Sequence, residues 1–354
     1  MKNWLKKTGQ AEVVLAASCI VAIVLLFTIG AAGGLAGAGT NWIAWIRYYS
    51  RTLSGSLAGF LYDTVLFFCL TIIMLVIWSL GKSFLAIIFP SLRGDNNKED
   101  DPRKAFLAAA LRSRDVWLII PAILFITLAA LVMGEANMMA PPRLQDQAVI
   151  SIEHALFGNY VFAALGAIHY PHPLIVFIIW SFGNMALILI GAGIIIAYLA
   201  PSRFRELIVA FSIGILLMIP LWIMVPVLSP QDRYIDNRYN LPMSSSLVFA
   251  VKNYHPQVEI ADFLSSVRTD KQGLPALPTS TFPSAHVFWA SIAAYYLFKT
   301  KKWLGWISLP LLLASTFGTV LLAQHYFLDV PAGMAIAALA IWAAHRVDKP
   351  ETRY

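Results

Sequence analysis

The sequence predicts an all-α, polytopic transmembrane helical bundle of about eight spans, and three observations predict it. Hydrophobic residues make up 59% of the 354 and charged residues only 13%, with a mean hydropathy of +0.70. A water-soluble chain of this size would lack the polar cover its surface needs. The apolar residues are gathered into runs near the roughly 20 residues that cross a bilayer as a helix. The basic residues gather on alternate connections between those runs.

The runs cover about 12–34, 57–80, 115–134, 173–199, 206–228, 284–299, 303–323 and 327–346. The first follows Lys2, Lys6 and Lys7 but is too long for a signal-peptide core, and it reads as a retained helix. Cys19 and Cys69 fall inside spans as small apolar side chains. The glycines and alanines of 29–38 read as a closely packed helix end. Residues 91–114 form a charged connector ending in a short amphipathic helix around Arg103–Leu111. In the segment 136–172, Glu153, His154, Phe157 and Gly158 read as part of a surface-lying helix. Its tail, His169-Tyr-Pro-His172-Pro, has a restricted backbone. The connection 229–283 is too long for a tight helix turn and reads as a lid. The sixth and eighth runs are short and partly polar at their outer ends, which marks them either as weak spans or as ends that form a site.

With an inward amino terminus, eighteen of the twenty-six basic residues fall on cytoplasmic segments, including the block Lys82 to Arg114. Both termini are therefore expected in the cytoplasm. The net charge of +7 is explained by topology and needs no nucleic-acid partner. No obligate protein partner is evident. No Cys-x-x-Cys, His-Glu-x-x-His or glycine-rich nucleotide loop appears, so no metal or cofactor is expected. The expected division is 1–205 for amino-terminal helices and an outer segment, 206–346 for a catalytic membrane core, and 347–354 for a cytoplasmic tail.

Two short clusters carry the chemistry. Thr281-Phe-Pro-Ser-Ala-His286 opens the sixth run, and His325-Tyr-Phe-Leu-Asp329 closes the seventh, so both histidines share one membrane face, opposite the cytoplasm. Ser284 is a fitting helix cap, and the amides that follow it, with Ala285 among them, make a phosphate seat. His286 in that first turn can pass a proton to a departing oxygen. His325 is the better nucleophile, because Asp329 four residues on can hold its tautomer and support its charge. The pair shares a helical face if the backbone is continuous. Alternatively it bridges a helix junction, with Asp329 near the cap and Pro331 in the first turn. Arg233, Arg238, Arg268 and Lys271 of the long loop are candidates for phosphate contact. Asp63, in the second run, is either a packing group or a substrate contact.

Phe282-Pro-Ser-Ala-His286 and Thr319-Val-Leu-Leu-Ala-Gln-His325-Tyr-Phe-Leu-Asp329-Val resemble the second and third motifs of the type 2 phosphatidic acid phosphatase superfamily, and within it the inositol phosphorylceramide synthase branch. The resemblance covers about 210–345. It implies a helical bundle with its site at the outer face, His325 as nucleophile, Asp329 as its partner and His286 as acid and base. Thr319 stands where ordinary phosphatases of the superfamily carry an arginine, Gly318 where serine is usual, and Gln324 where the branch often has another histidine. Arginine forks suit a dianionic monoester, whereas a diester carries one charge and needs less compensation.

The expected function is therefore transfer of a phosphoalcohol headgroup, plausibly inositol phosphate, from a phospholipid donor to a lipid hydroxyl acceptor. Two other functions fit the same residues. One is hydrolysis of a lipid phosphate or polyprenyl diphosphate, with water as acceptor. The other is non-enzymatic lipid binding or transport.

Overall fold

The structure, a computed structural model, describes residues 13–25, 144–237, 240–267 and 280–347. All of them belong to one compact unit. The expected runs 57–80 and 115–134, the connector 91–114, Cys69 and Asp63 lie outside the described residues.

The described chain is helical. A short apolar helix, α1 (Val13–Leu25), is followed by α2 (Asp146–Phe157), α3 (Val161–Gly166), α4 (His172–Gly183), α5 (Met185–Leu199) and α6 (Pro201–Met224). The long connection then holds a π-helical turn at Gln231–Ile235, α7 (Ser245–Lys252) and α8 (Val258–Val267). The bundle closes with α9 (Ala285–Thr300), α10 (Lys302–Leu321) and α11 (Asp329–Val347).

Three of these helices are long and apolar enough to cross a membrane: Ser202–Met224 within α6, α10 and α11. The run expected to span as one helix over 173–199 is instead broken, with His172–Gly183 and Ile188–Ala197 at 68° to each other. Counting that pair as one span gives four among the described residues, against the eight expected over the whole chain. The expected sixth span is α9, which has 16 residues. At 1.5 Å per residue it is about 24 Å long, short of a bilayer core of roughly 30 Å.

Two apolar cores organise the unit. In the first, α9 is central, packing against α10, α5, α11 and α6, and Cys19 of α1 is buried with them. The ring of Phe288 lies on bare backbone at Gly214, where a Cβ would fall 2.1 Å from it. In the second, Val149 and Ile150 of α2 and Phe162 of α3 meet Tyr234, Leu247 and Ile260 of the long connection, and Leu322 and Tyr326 beyond α10. The long connection is thus a folded cap. Gln257 clasps the backbone of Tyr170 at both its N–H (2.7 Å) and its carbonyl (2.9 Å). His172 pairs with Glu259 at 2.5 Å.

A non-helical strap, 225–229, follows α6, and its Val227 is buried in the second core. Its Pro226 carbonyl accepts from Gln145, its Leu228 N–H donates to Asp146, and its Val227 carbonyl accepts the N–H of Thr281. One stretch of backbone thereby ties α2 to the segment leading into α9.

Candidate active site

The segment 280–284 and the turn 322–328 are brought together where the two cores meet. Ser284 caps α9 as its sequence suggests: its Oγ accepts the Val287 N–H at 3.4 Å, and the helix begins at Ala285. His286 therefore sits in the first turn. Its ring stacks on Phe182 of α4, with centroids 4.4 Å apart and planes at 15°, and Trp289 flanks it at 5.4 Å. Phe182 is in turn met edge-on by Phe263 of the cap at 5.8 Å.

His325 lies outside any helix. α10 ends at Leu321, and the chain turns through Ala323 (φ 53) before α11 starts at Asp329. The second of the two geometries left open by the sequence is the one found, a pair bridging a helix junction with Pro331 in the first turn of α11. The turn is fixed by its backbone. The Thr319 carbonyl accepts from the N–H groups of both Gln324 (3.1 Å) and His325 (2.9 Å), and the Ala323 carbonyl accepts from Gln231.

The imidazole of His325 has a defined orientation. Its Nδ1 lies 3.1 Å from Asp329 Oδ2 and 3.1 Å from the Thr281 carbonyl. Both neighbours are acceptors, so Nδ1 must carry the hydrogen, which leaves the lone pair on Nε2. Nε2 faces Ser284 Oγ at 3.3 Å, at the amino-terminal end of α9. The two imidazole rings are 5.9 Å apart at 65°. One ring thus presents a nucleophilic nitrogen towards a helix amino terminus while a second ring stands alongside it.

The remaining candidates distribute unevenly. Arg233 is buried, and its guanidinium donates to the carbonyls of Leu241 and Pro242, holding the cap loop rather than reaching the histidines. Arg238, Arg268, Lys271 and Asp63 lie outside the described residues. Thr319, at the position of the superfamily arginine, is fully buried, with its hydroxyl donating to the Thr316 carbonyl. Gln324 donates to Gln231 at 2.6 Å and so ties the His325 turn to the cap.

Two acids escaped the sequence reading. Glu153, expected on a surface helix, is fully buried, and its carboxylate accepts the N–H of Phe327 at 2.7 Å and that of Val161 at 3.1 Å. Asp146 is buried too, accepting from Leu228 at 2.7 Å and from the Tyr326 hydroxyl at 3.4 Å. Burial pushes the Glu153 carboxyl up to about 7, with the nearby Asp329 charge adding to the rise and the Phe327 amide opposing it. Burial likewise raises Asp146 to about 6, against the opposing bond from Leu228. In the structure α2 buries both acids together with Val149 and Ile150 and leaves Ile152, Leu156 and Phe157 exposed, an arrangement its local sequence does not signal.

Among the described residues, helices of membrane-crossing length and a histidine–aspartate pair at a helix junction make up an all-α, partly membrane-associated fold. The chain belongs to the PAP2 superfamily, whose pattern matches residues 147–343. That match begins inside α2, one residue after Asp146, and ends inside α11, so it takes in Glu153 as well as both histidines. No curated protein and no solved structure matches the chain.

Proposed function

We propose that this protein is a metal-independent lipid phosphotransferase that moves a phosphoalcohol headgroup, inositol phosphate being the leading candidate, between lipids. The observation that carries the reading is the orientation of His325, with Nδ1 committed to two acceptors and Nε2 turned towards the capped end of α9. His325 Nε2 attacks the phosphorus of a phospholipid. An N–P bond forms, the P–O bond to diacylglycerol breaks, and His286 gives its proton to the departing oxygen. A lipid hydroxyl then surrenders its proton to His286 and attacks the phosphohistidine, restoring free His325. Asp329 supports the imidazolium character that develops on His325. The amides of Ala285 and His286, at the positive end of the α9 dipole beside Ser284, serve the phosphate oxygens.

Thr319 supports a diester donor over a phosphate monoester. A buried threonine whose hydroxyl is spent within its own helix offers no fork for a second negative charge. Among the loop cations, Arg238, Arg268 and Lys271 are the candidates for phosphate contact, with Asp63 as a further substrate contact. The same reading takes eight spans, cytoplasmic termini, a catalytic core over 206–346 and a site on the face opposite the cytoplasm, as the charge distribution indicates.

The test follows isotopically labelled phosphatidylinositol by mass spectrometry, with purified protein and with or without ceramide or diacylglycerol, alongside His325→Ala. Acceptor-dependent movement of labelled inositol phosphate, absent from the variant, is the expected result. Release of label only as water-soluble phosphate ester assigns hydrolysis instead. Retained turnover in His325→Ala removes the nucleophile assignment.

A further inference from the structure

Glu153 is fully buried, touches the backbone of the His325 turn and has no part in the chemistry above. Its two carboxylate oxygens are divided between two backbone amides: Oε1 accepts from Val161 at the start of α3, and Oε2 from Phe327 in the turn. Phe327 is two residues beyond His325. The amide between them, that of Tyr326, donates to Asp329 Oδ2 at 3.0 Å, the oxygen that also faces His325 Nδ1. Consecutive amides of the turn are therefore each assigned to a different carboxylate. The 2.7 Å bond to Phe327 has the short length of a charge-assisted hydrogen bond.

A second feature points the same way. Asp146, seven residues earlier and so on the same face of α2, reaches the Tyr326 hydroxyl. Both acids of α2 converge on the two residues that follow His325, while Ile152, Leu156 and Phe157 are exposed. A helix resting on a surface for its own sake would turn its carboxylates outward to water.

We propose that Glu153 is a positioning residue for the nucleophile: by holding the Phe327 amide it sets the turn that brings His325 Nδ1 onto Asp329. This rests on the reading of His325 as nucleophile. The requirement is for a carboxylate specifically, because both partners are donors. A carboxamide or a protonated acid turns a hydrogen towards one of them and loses that bond. The charged group that acts on Glu153 is Asp329 from α11, which in turn pairs with His325, while Asp146 of its own helix bonds to Tyr326 of the turn.

The experiment compares full-length wild type and Glu153→Gln in lipid nanodiscs by three readouts. These are thermal unfolding, backbone amide exchange by mass spectrometry over 322–330, and kcat and KM with their pH dependence on the lipid that the wild type turns over. Exchange over 322–330 is expected to rise about tenfold or more. The kcat is expected to fall at least about tenfold with KM within about threefold, because the substrate contacts remain. Glu153 loses its charge below about pH 7 in the wild type, so the acidic limb of the wild-type kcat profile should flatten in the variant. Unchanged exchange over 322–330, or a kcat within about twofold with the wild-type pH profile, overturns the proposal. If the wild type turns over no lipid, the transferase reading fails while the exchange result still decides whether Glu153 holds the turn. Should Glu153→Gln not fold, Glu153→Asp keeps the charge but withdraws it by one methylene, and the same exchange increase is expected.

Discussion

The two histidines of the site are held in opposite ways. His325 sits in an irregular turn whose amides and imidazole are hydrogen-bonded at nearly every point, to Thr319, Thr281, Ser284 and Asp329, with Glu153 and Asp146 behind. His286 sits in the first turn of a regular helix and is fixed by its faces, between Phe182 and Trp289. The difference suits two tasks. A nucleophile needs one tautomer and one direction of attack, which hydrogen bonds impose. A group that gives and takes a proton within one cycle needs its ring nitrogens uncommitted, and stacking holds a ring without engaging them.

The largest effect that breaks this contrast is removal of His325, the proposed nucleophile. His325→Ala is expected to lower kcat by about 10³-fold or more, and Asp329→Asn by about 10²-fold or more, since the amide can turn a donor towards Nδ1 and invert the tautomer. Turnover within tenfold of wild type in either variant would equate the two histidines and undo the distinction. His286→Ala is expected to cost about 10²-fold on a natural lipid and far less on a diester with a nitrophenol leaving group, which departs without a proton. An equal loss on both substrates would give His286 a positioning role instead.

A smaller effect tests the distance between the rings. Gly333 of α11 lies against the start of α9, where an added Cβ would come 2.6 Å from the Ser284 carbonyl and 3.1 Å from Val287 Cβ. Gly333→Ala is expected to lower stability by about 1–3 kcal/mol through overpacking and to lower kcat along with it, as Ser284 and His286 shift away from His325. A lowered melting temperature with wild-type kcat would show that the ring spacing tolerates displacement.

Solution pH sharpens the comparison further. Glu153 and Asp146 are raised to about 7 and about 6 from ordinary values of 4.5 and 3.8. The folded state therefore binds their protons more tightly than the unfolded chain does. The stability this confers is complete below about pH 4 and is lost as pH rises through 6 to 7. On the proposed roles activity should move the other way, because it is the ionised Glu153 that would hold the His325 turn. Melting temperature and kcat measured from pH 5 to 8 are expected to run in opposite directions, and a parallel rise would contradict the role given to these acids. The smallest expected effect is at Ala323, whose φ of 53 is costly for a residue with a Cβ. Ala323→Gly should stabilise by at most about 1 kcal/mol, read as a small rise in melting temperature.

The parts legible in the sequence were those encoded locally. Ser284 as a cap, His286 one turn inside α9, and the spacing of His325 and Asp329 are all set by neighbours within a few positions. The long connection announced itself by length and prolines. Glu153 and Asp146 could not be read in that way, because their partners at Phe327 and Tyr326 are 174 and 180 residues away. Nothing in the local pattern of α2 distinguishes an acid facing water from one facing a distant turn. Arg233 differs in that its partners are near in sequence: its guanidinium lies on the carbonyls of Leu241 and Pro242, a contact set by how the connection folds back on itself. The break within 173–199 was hidden by continuous hydrophobicity, which reports burial in lipid or protein but not the direction of the axis.

The most direct test of the central claim, that His325 forms a covalent link to phosphorus, is rapid-quench mass spectrometry of the protein during turnover of labelled phosphatidylinositol. The expected result is an acid-labile phosphoramidate on His325 Nε2, carrying the inositol, that appears before product and decays when a lipid hydroxyl is added. Turnover with no adduct on His325, accompanied by inversion of configuration at a chiral phosphorus, would mean that the headgroup passes in a single direct displacement and would contradict the account.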